Sequence, residues 1–180
     1  MKYSILLASA LVAMSSPAGA AEPAYEDMVL TAMFDMCGSA IADELSLNDA
    51  AALKEFGFSA APDAEEAKAA SPIHGKVEMA QAAVGGGTVA IGHHPDVGLC
   101  QVVFDGPDRI AARDALKAEL LSDDQGFSLE PADPAKQGPM KVDRYRKVLE
   151  PGIVAVAQLI TTPQDGPTPV IIAQLGVIQE

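Results

Sequence analysis

Thr88–Asp105 (TVAIGHHPDVGLCQVVFD) sets two apolar segments on either side of a short polar turn, the pattern of a β-hairpin. Val89 and Ile91 fall on one face of the first strand. Cys100, Val102 and Phe104 share a face of the second, with Leu99 and Val103 opposite. Apolar residues on both faces place that second strand inside a sheet. Upstream, Leu30, Met33, Phe34, Cys37 and Ile41 recur at helical spacing, so 25–41 is predicted as a helix with Cys37 facing the core. Gly38 costs such a helix roughly 1 kcal/mol relative to Ala, and close approach of a strand or a disulfide is the expected reason for it. Asn48–Phe56 predicts a second helix, capped by Asn48, with Ala52, Leu53 and Phe56 as its apolar face. Gly57-Phe58 fits a Schellman ending in which Phe58 packs on Leu53.

Ser59–Pro72, rich in Ala, Pro and acidic residues, reads as a surface connection. Lys76–Val84 reads as a strand and Gly85-Gly86-Gly87 as a turn; the glycines lack the lysine a phosphate loop requires. Pro107 fits the first turn of a mid-chain helix striped by Ile110, Leu116 and Leu120 and closed by Gly126. Phe127–Leu129 is a short strand. Met140–Leu149, Ile153–Thr162 and Val170–Ile178 are three more, with connections short enough for an antiparallel meander. No internal repeat, coiled coil or low-complexity tail is read along the chain. The pattern predicts an α+β fold: an antiparallel sheet of about five or six strands, with the N-terminal helices and one mid-chain helix packed on one face.

Composition sharpens this picture at the N-terminus. Lys2, the apolar run Ile5–Met14 and the small residues Ala18-Gly19-Ala20 form the pattern of a cleaved signal peptide over 1–20, which leaves 21–180 as one domain. The apolar run is too short to span a bilayer, so no membrane insertion is expected after cleavage. The expected location is periplasmic or secreted. Aromatic residues are 4% of the chain and Trp is absent, so the core must be aliphatic. The chain is acidic, with a net charge of −13, and losing Lys2 takes it one unit lower. That field repels nucleic acid and anionic lipid, whose binding rests on cationic contacts.

Candidate chemistry is sparse. The two cysteines, Cys37 and Cys100, predict one disulfide in an oxidising compartment; free thiols or a redox pair are the alternatives, and no Cys-x-x-Cys spacing favours the latter. His93 and His94 are adjacent on a strand and therefore point to opposite faces. With Asp96 they are weak candidates for a metal, since zinc needs three or four converging ligands. Met28, Met33 and Met36 are chemically suited to copper, but Met33 lies on the core stripe. No Gly-x-Ser-x-Gly elbow is present, and Ser39 sits within a helix pattern. The sharpest local contrast is the strand holding Lys141, Arg144, Tyr145, Arg146 and Lys147. It is a candidate ligand or partner strand, or a sheet edge guarded by charge.

An early helical Phe-x-x-Cys (Phe34, Cys37), a helix ending in Gly57-Phe58 and a later Cys100 in a Val-rich strand resemble small exported proteins of alphaproteobacteria for which no activity is established. The likeness covers the first two thirds of the chain. It implies the disulfide and the compartment and assigns no site. The function expected is a non-catalytic periplasmic module that binds a protein or small ligand, with no cofactor. An envelope hydrolase and a metal or small-ligand carrier using His93 and His94 are the alternatives.

Overall fold

The structure, a computed structural model, describes residues 23–61, 76–131, 140–163 and 169–179. The expected leader, most of the Ser59–Pro72 connection and most of the loop before Pro139 lie outside them.

The hairpin forms as its pattern predicts. β3 (Gly87–His94) and β4 (Leu99–Phe104) are antiparallel and joined by a 3-10 turn over Pro95–Val97, with Gly98 left-handed at φ 60°. β2 (Glu78–Val84) precedes them across Gly85-Gly86, whose φ values of 57° and 74° make the tight turn that only glycine adopts cheaply. β1 (Ser59–Ala60) pairs with β2 at the edge. In the last third, β5 (Ser128–Leu129), β6 (Lys141–Glu150), β7 (Ile153–Thr161) and β8 (Ile171–Gln179) form the expected antiparallel meander. β8 then pairs with β4, giving one antiparallel sheet of eight strands in the order β1-β2-β3-β4-β8-β7-β6-β5. Eight strands exceed the five or six expected. Of the eight strands only β1, a two-residue edge strand, is too short to leave a signal in the sequence, and the larger count comes from both meanders joining one sheet.

That strand order reads identically inward from either edge: each half of the chain runs helix, short edge strand, three-stranded meander. The halves meet at β4 and β8, where Gln101 faces Gln174 and their side chains hydrogen-bond at 3.0 Å. The registers correspond as well. Ser59 pairs with Gln81 and Glu78 with His93; in the second half Ser128 pairs with Arg146 and Asp143 with Leu159. Two short motifs occupy matching places. Gly57-Phe58-Ser59 answers Gly126-Phe127-Ser128, with both glycines at positive φ, and Lys76-Val77-Glu78 answers Lys141-Val142-Asp143. In each of the latter the lysine reaches the carboxylate two residues on, at 2.6 Å and 3.7 Å. The chain therefore carries an internal twofold repeat of topology, correcting the sequence reading. One three-residue identity and one near-identity are too brief to register as a repeat before the strands are paired.

The helices break this symmetry. Residues 25–41 form one continuous helix: α1 (Tyr25–Leu30), a π-helical segment (Thr31–Met36) and α2 (Cys37–Ile41). Its buried side is Met28, Val29, Ala32, Met33, Met36, Cys37 and Ala40. Leu30, Phe34 and Ile41, expected on the core stripe, are only half-buried on its flank. The i→i+5 bonding of a π segment places more residues in each turn than an α-helix does and rotates the stripe. Cys37 is bonded to Cys100 with a Cα–Cα distance of 5.5 Å, tying this helix to β4. α3 (Ala50–Glu55) is capped by Asp49, not Asn48: its carboxylate accepts from the Ala51 and Ala52 amides. It ends in the expected Schellman pattern, with Phe58 N to Leu53 O at 2.9 Å and Gly57 N to Lys54 O at 3.1 Å. α4 (Arg109–Leu120) begins two residues after Pro107. Its principal packing is against α1, where direct packing on the sheet was expected.

Candidate functional site

Strand parity puts Cys100, Leu175, Ala157 and Tyr145 on the same sheet face, the one the disulfide ties to the helix. On that face, toward the β6–β7 turn, lies an open groove of about 610 Å³. Its floor is Lys147 and Leu149 of β6, Ala155 of β7, and Leu175 and Val177 of β8. One wall is the flank of helix 25–41: Phe34, Asp35, Gly38, Ile41 and Ala42. The other is Gln125 and Phe127, just before β5. The rotated helical stripe thus has a consequence. Side chains whose spacing predicted core packing instead form a wall.

Gly38 is the informative position on that wall. A Cβ built there meets no atom within 4 Å, so neither a strand nor the disulfide requires the glycine, contrary to the expectation from sequence. Its φ is not in the left-handed region either. The residue gives up roughly 1 kcal/mol of helix propensity at a place where a side chain would extend into the groove.

The basic strand is divided by its pleat. Arg144 and Arg146 point to the face away from the helices, where Arg144 pairs with Glu130 at 3.0 Å. Lys141 lies near Asp143, which also approaches Lys117 of α4 at 3.9 Å. Tyr145 is buried and so is off the surface. Burial, then the nearby Asp143 carboxylate, push its phenol up to about 12, and its hydroxyl has no partner among the described residues. Lys147 alone of the five reaches the groove. Its ammonium stands 5.9 Å from the centre of the Phe127 ring and makes no ion pair among the described residues. β6 is paired with β7 along its length but with β5 at only two positions, so much of it is a sheet edge among the described residues.

A second polar cluster lies at the other end of the sheet. Buried Glu78 accepts from Ser46 Oγ (3.0 Å), the Leu47 amide (3.0 Å) and Lys76 Nζ (2.6 Å). Burial works against its charge, but these donors prevail and hold the carboxyl below its usual range. His93, across the ladder from Glu78, is buried, and desolvation lowers its pKa despite Glu78 and Asp43 nearby. Burial likewise lowers that of His94. The Nδ1 atoms of both rings lack a hydrogen-bond partner among the described residues. The two imidazoles occupy opposite faces, and the Asp96 carboxylate accepts from the Lys76 amide at 3.1 Å. Among the described residues no three His, Cys, Asp or Glu side chains converge as metal ligands. No helix there is long and apolar enough to cross a membrane.

No family model, curated protein or solved structure matches this chain. What fold and site define is a disulfide-tied α+β protein whose single antiparallel sheet holds a lateral apolar groove. Of the five side chains singled out from sequence on that strand, only Lys147 belongs to that groove. The sequence pattern marks Phe34 and Gly38 as helix positions and not as site residues. A glycine three turns into an amphipathic helix was the one available signal.

Proposed function

We propose that this protein is an exported, non-catalytic binding module and that its ligand is a small molecule seated in the groove between helix 25–41 and strands β6–β8. The observation that carries this reading is Gly38, which lines the groove with open space where a side chain would stand. The lining supports binding over turnover: apolar residues dominate, with one ammonium, one carboxylate and one amide, and no adjacent nucleophile and base. The disulfide fits an oxidising compartment, where a two-cysteine chain of this kind is at home.

The test is native mass spectrometry of the protein exported by its own leader, set against its denatured mass. The denatured mass is expected to begin at Ala21 and to lack two hydrogens. The native species is expected to carry additional mass that disappears when Gly38 is replaced by Phe. Retention of the same adduct in Gly38→Phe would place the ligand elsewhere, and a denatured mass that includes residues 1–20 would refute export with cleavage.

A further inference from the structure

The internal repeat supplies a comparison within the molecule. The groove floor in the second half has a counterpart in the first: Ala82 for Lys147, Val89 for Ala155, Val102 for Leu175 and Phe104 for Val177, by the strand pairings that match Gln101 to Gln174 and Ser59 to Ser128. All four first-half residues are buried. Their end of the sheet is closed by the chain itself, through Tyr25 and Met28 of α1. A side chain at Gly87 would meet the Tyr25 ring at 2.9 Å, and one at Gly57 would meet Met28 Cε at 3.3 Å. The Tyr25 hydroxyl donates to the Asp105 carbonyl. An apolar body ending in one polar group thus fills the first slot. Among the described residues no helix start reaches the second, where Val177 is 38% exposed and Leu149 46%. Phe127, the counterpart of buried Phe58, is likewise left half-open.

The chemistry of the missing occupant follows from the one floor position that changes character. Where the first half has Ala82, the second has Lys147, a cation against an aromatic ring with no carboxylate partner among the described residues. Asp35 stands on the opposite wall. A negative group is favoured beside β6 and repelled beside the helix, which sets the direction in which an amphipathic molecule lies. Resting on the binding reading above, we propose that the groove takes a small amphipathic anion, its apolar body between Phe34 and Phe127 and its single carboxylate- or sulfonate-type group on Lys147.

Two fluorescent probes with the same apolar body separate this claim from the reading beneath it: 1-anilinonaphthalene-8-sulfonate, and its uncharged parent N-phenyl-1-naphthylamine. Both are titrated into the oxidised mature protein. Both should bind, the sulfonate about fivefold more tightly, as an accessible ion pair allows. Lys147→Gln should remove that difference by weakening the sulfonate far more than the uncharged probe, and Gly38→Phe should abolish both. Gly38→Leu, which fills less of the groove, serves if the larger residue disturbs the fold, with circular dichroism as the check. Equal affinity for the two probes, or a Lys147→Gln protein that still prefers the sulfonate, overturns the anionic ligand and leaves the groove standing. Binding of neither probe, or binding unaffected in a folded Gly38 variant, overturns the groove itself.

Discussion

Gly38 gives up helix stability where a methyl group would touch nothing, and this separates a functional reason from a packing one. Gly38→Ala should therefore stabilise the protein by about 1 kcal/mol, the helix-propensity difference, with a matching rise in urea midpoint. A loss of stability would mean that the glycine serves the fold after all. The buried imidazoles predict a pH dependence. Burial lowers the folded pKa of His93 and His94, so in the folded state both stay neutral below the pH at which the unfolded chain takes up protons. Their stabilising effect is complete above the unfolded value of about 6.5 and declines as pH falls from there toward the folded values. Urea midpoints should thus drop between pH 7.5 and pH 5.5, and His93→Gln/His94→Gln should flatten the slope. Glu78 acts lower on the scale: its lowered pKa contributes stability above the usual carboxylate range that is lost as pH falls through the folded value. Little of this was legible beforehand. The opposite-facing histidines were, because pleat parity is local, but their burial depends on segments remote in sequence.

At the scale of the element, the helix over 25–41 shows where periodicity misleads. Its existence, and the inward direction of Cys37, were readable from apolar spacing. Its core stripe was not, because the π segment changes the number of residues in each turn and sends Phe34 and Ile41 to the flank. The same rotation builds the groove wall. The Gly57-Phe58 ending of α3 was legible in full, since a Schellman motif is satisfied by residues within one turn. The cap lies one residue further on than the sequence reading puts it: Asn and Asp are equally good N-cap residues, and only the folded backbone shows that the Asp49 carboxylate is the one that accepts from the free amides. The helix is held to β4 by a cross-link spanning 63 residues. Closing a loop that long is worth about 4 kcal/mol in the chain-entropy description, so Cys37→Ala/Cys100→Ala should lower unfolding free energy by about 2–4 kcal/mol. Equilibrium urea denaturation of the two proteins measures it; a difference near zero would show that helix packing alone fixes the contact.

For the whole molecule, the sheet's order implies a gradient of stability. β4 and β8 are hydrogen-bonded on both sides at the centre, while β1 and β5 are two-residue strands at the edges. Native-state amide exchange should be slowest in β3, β4, β7 and β8, and fastest in β1, β5 and the outer half of β6. Uniform protection across the sheet would contradict this arrangement. Equivalent floors in the two halves also differ in what covers them. Tyr25 and Met28 seal the first; among the described residues the second stays open, and that difference is what makes a groove from a repeated plan.

Local chemistry settled the α+β class, the antiparallel pairing of each meander, the turn glycines and the cysteine that faces inward. Each of these depends on residues within a turn or a pleat of one another, so pattern and propensity suffice. The eight-stranded sheet, the twofold plan and the groove arise from β4 pairing with β8 across 73 residues and from a helix whose register slips as it crosses them. Long-range pairing leaves no periodic trace in the chain, and a cavity is defined by side chains that fail to meet. Only the folded structure brings those absences together.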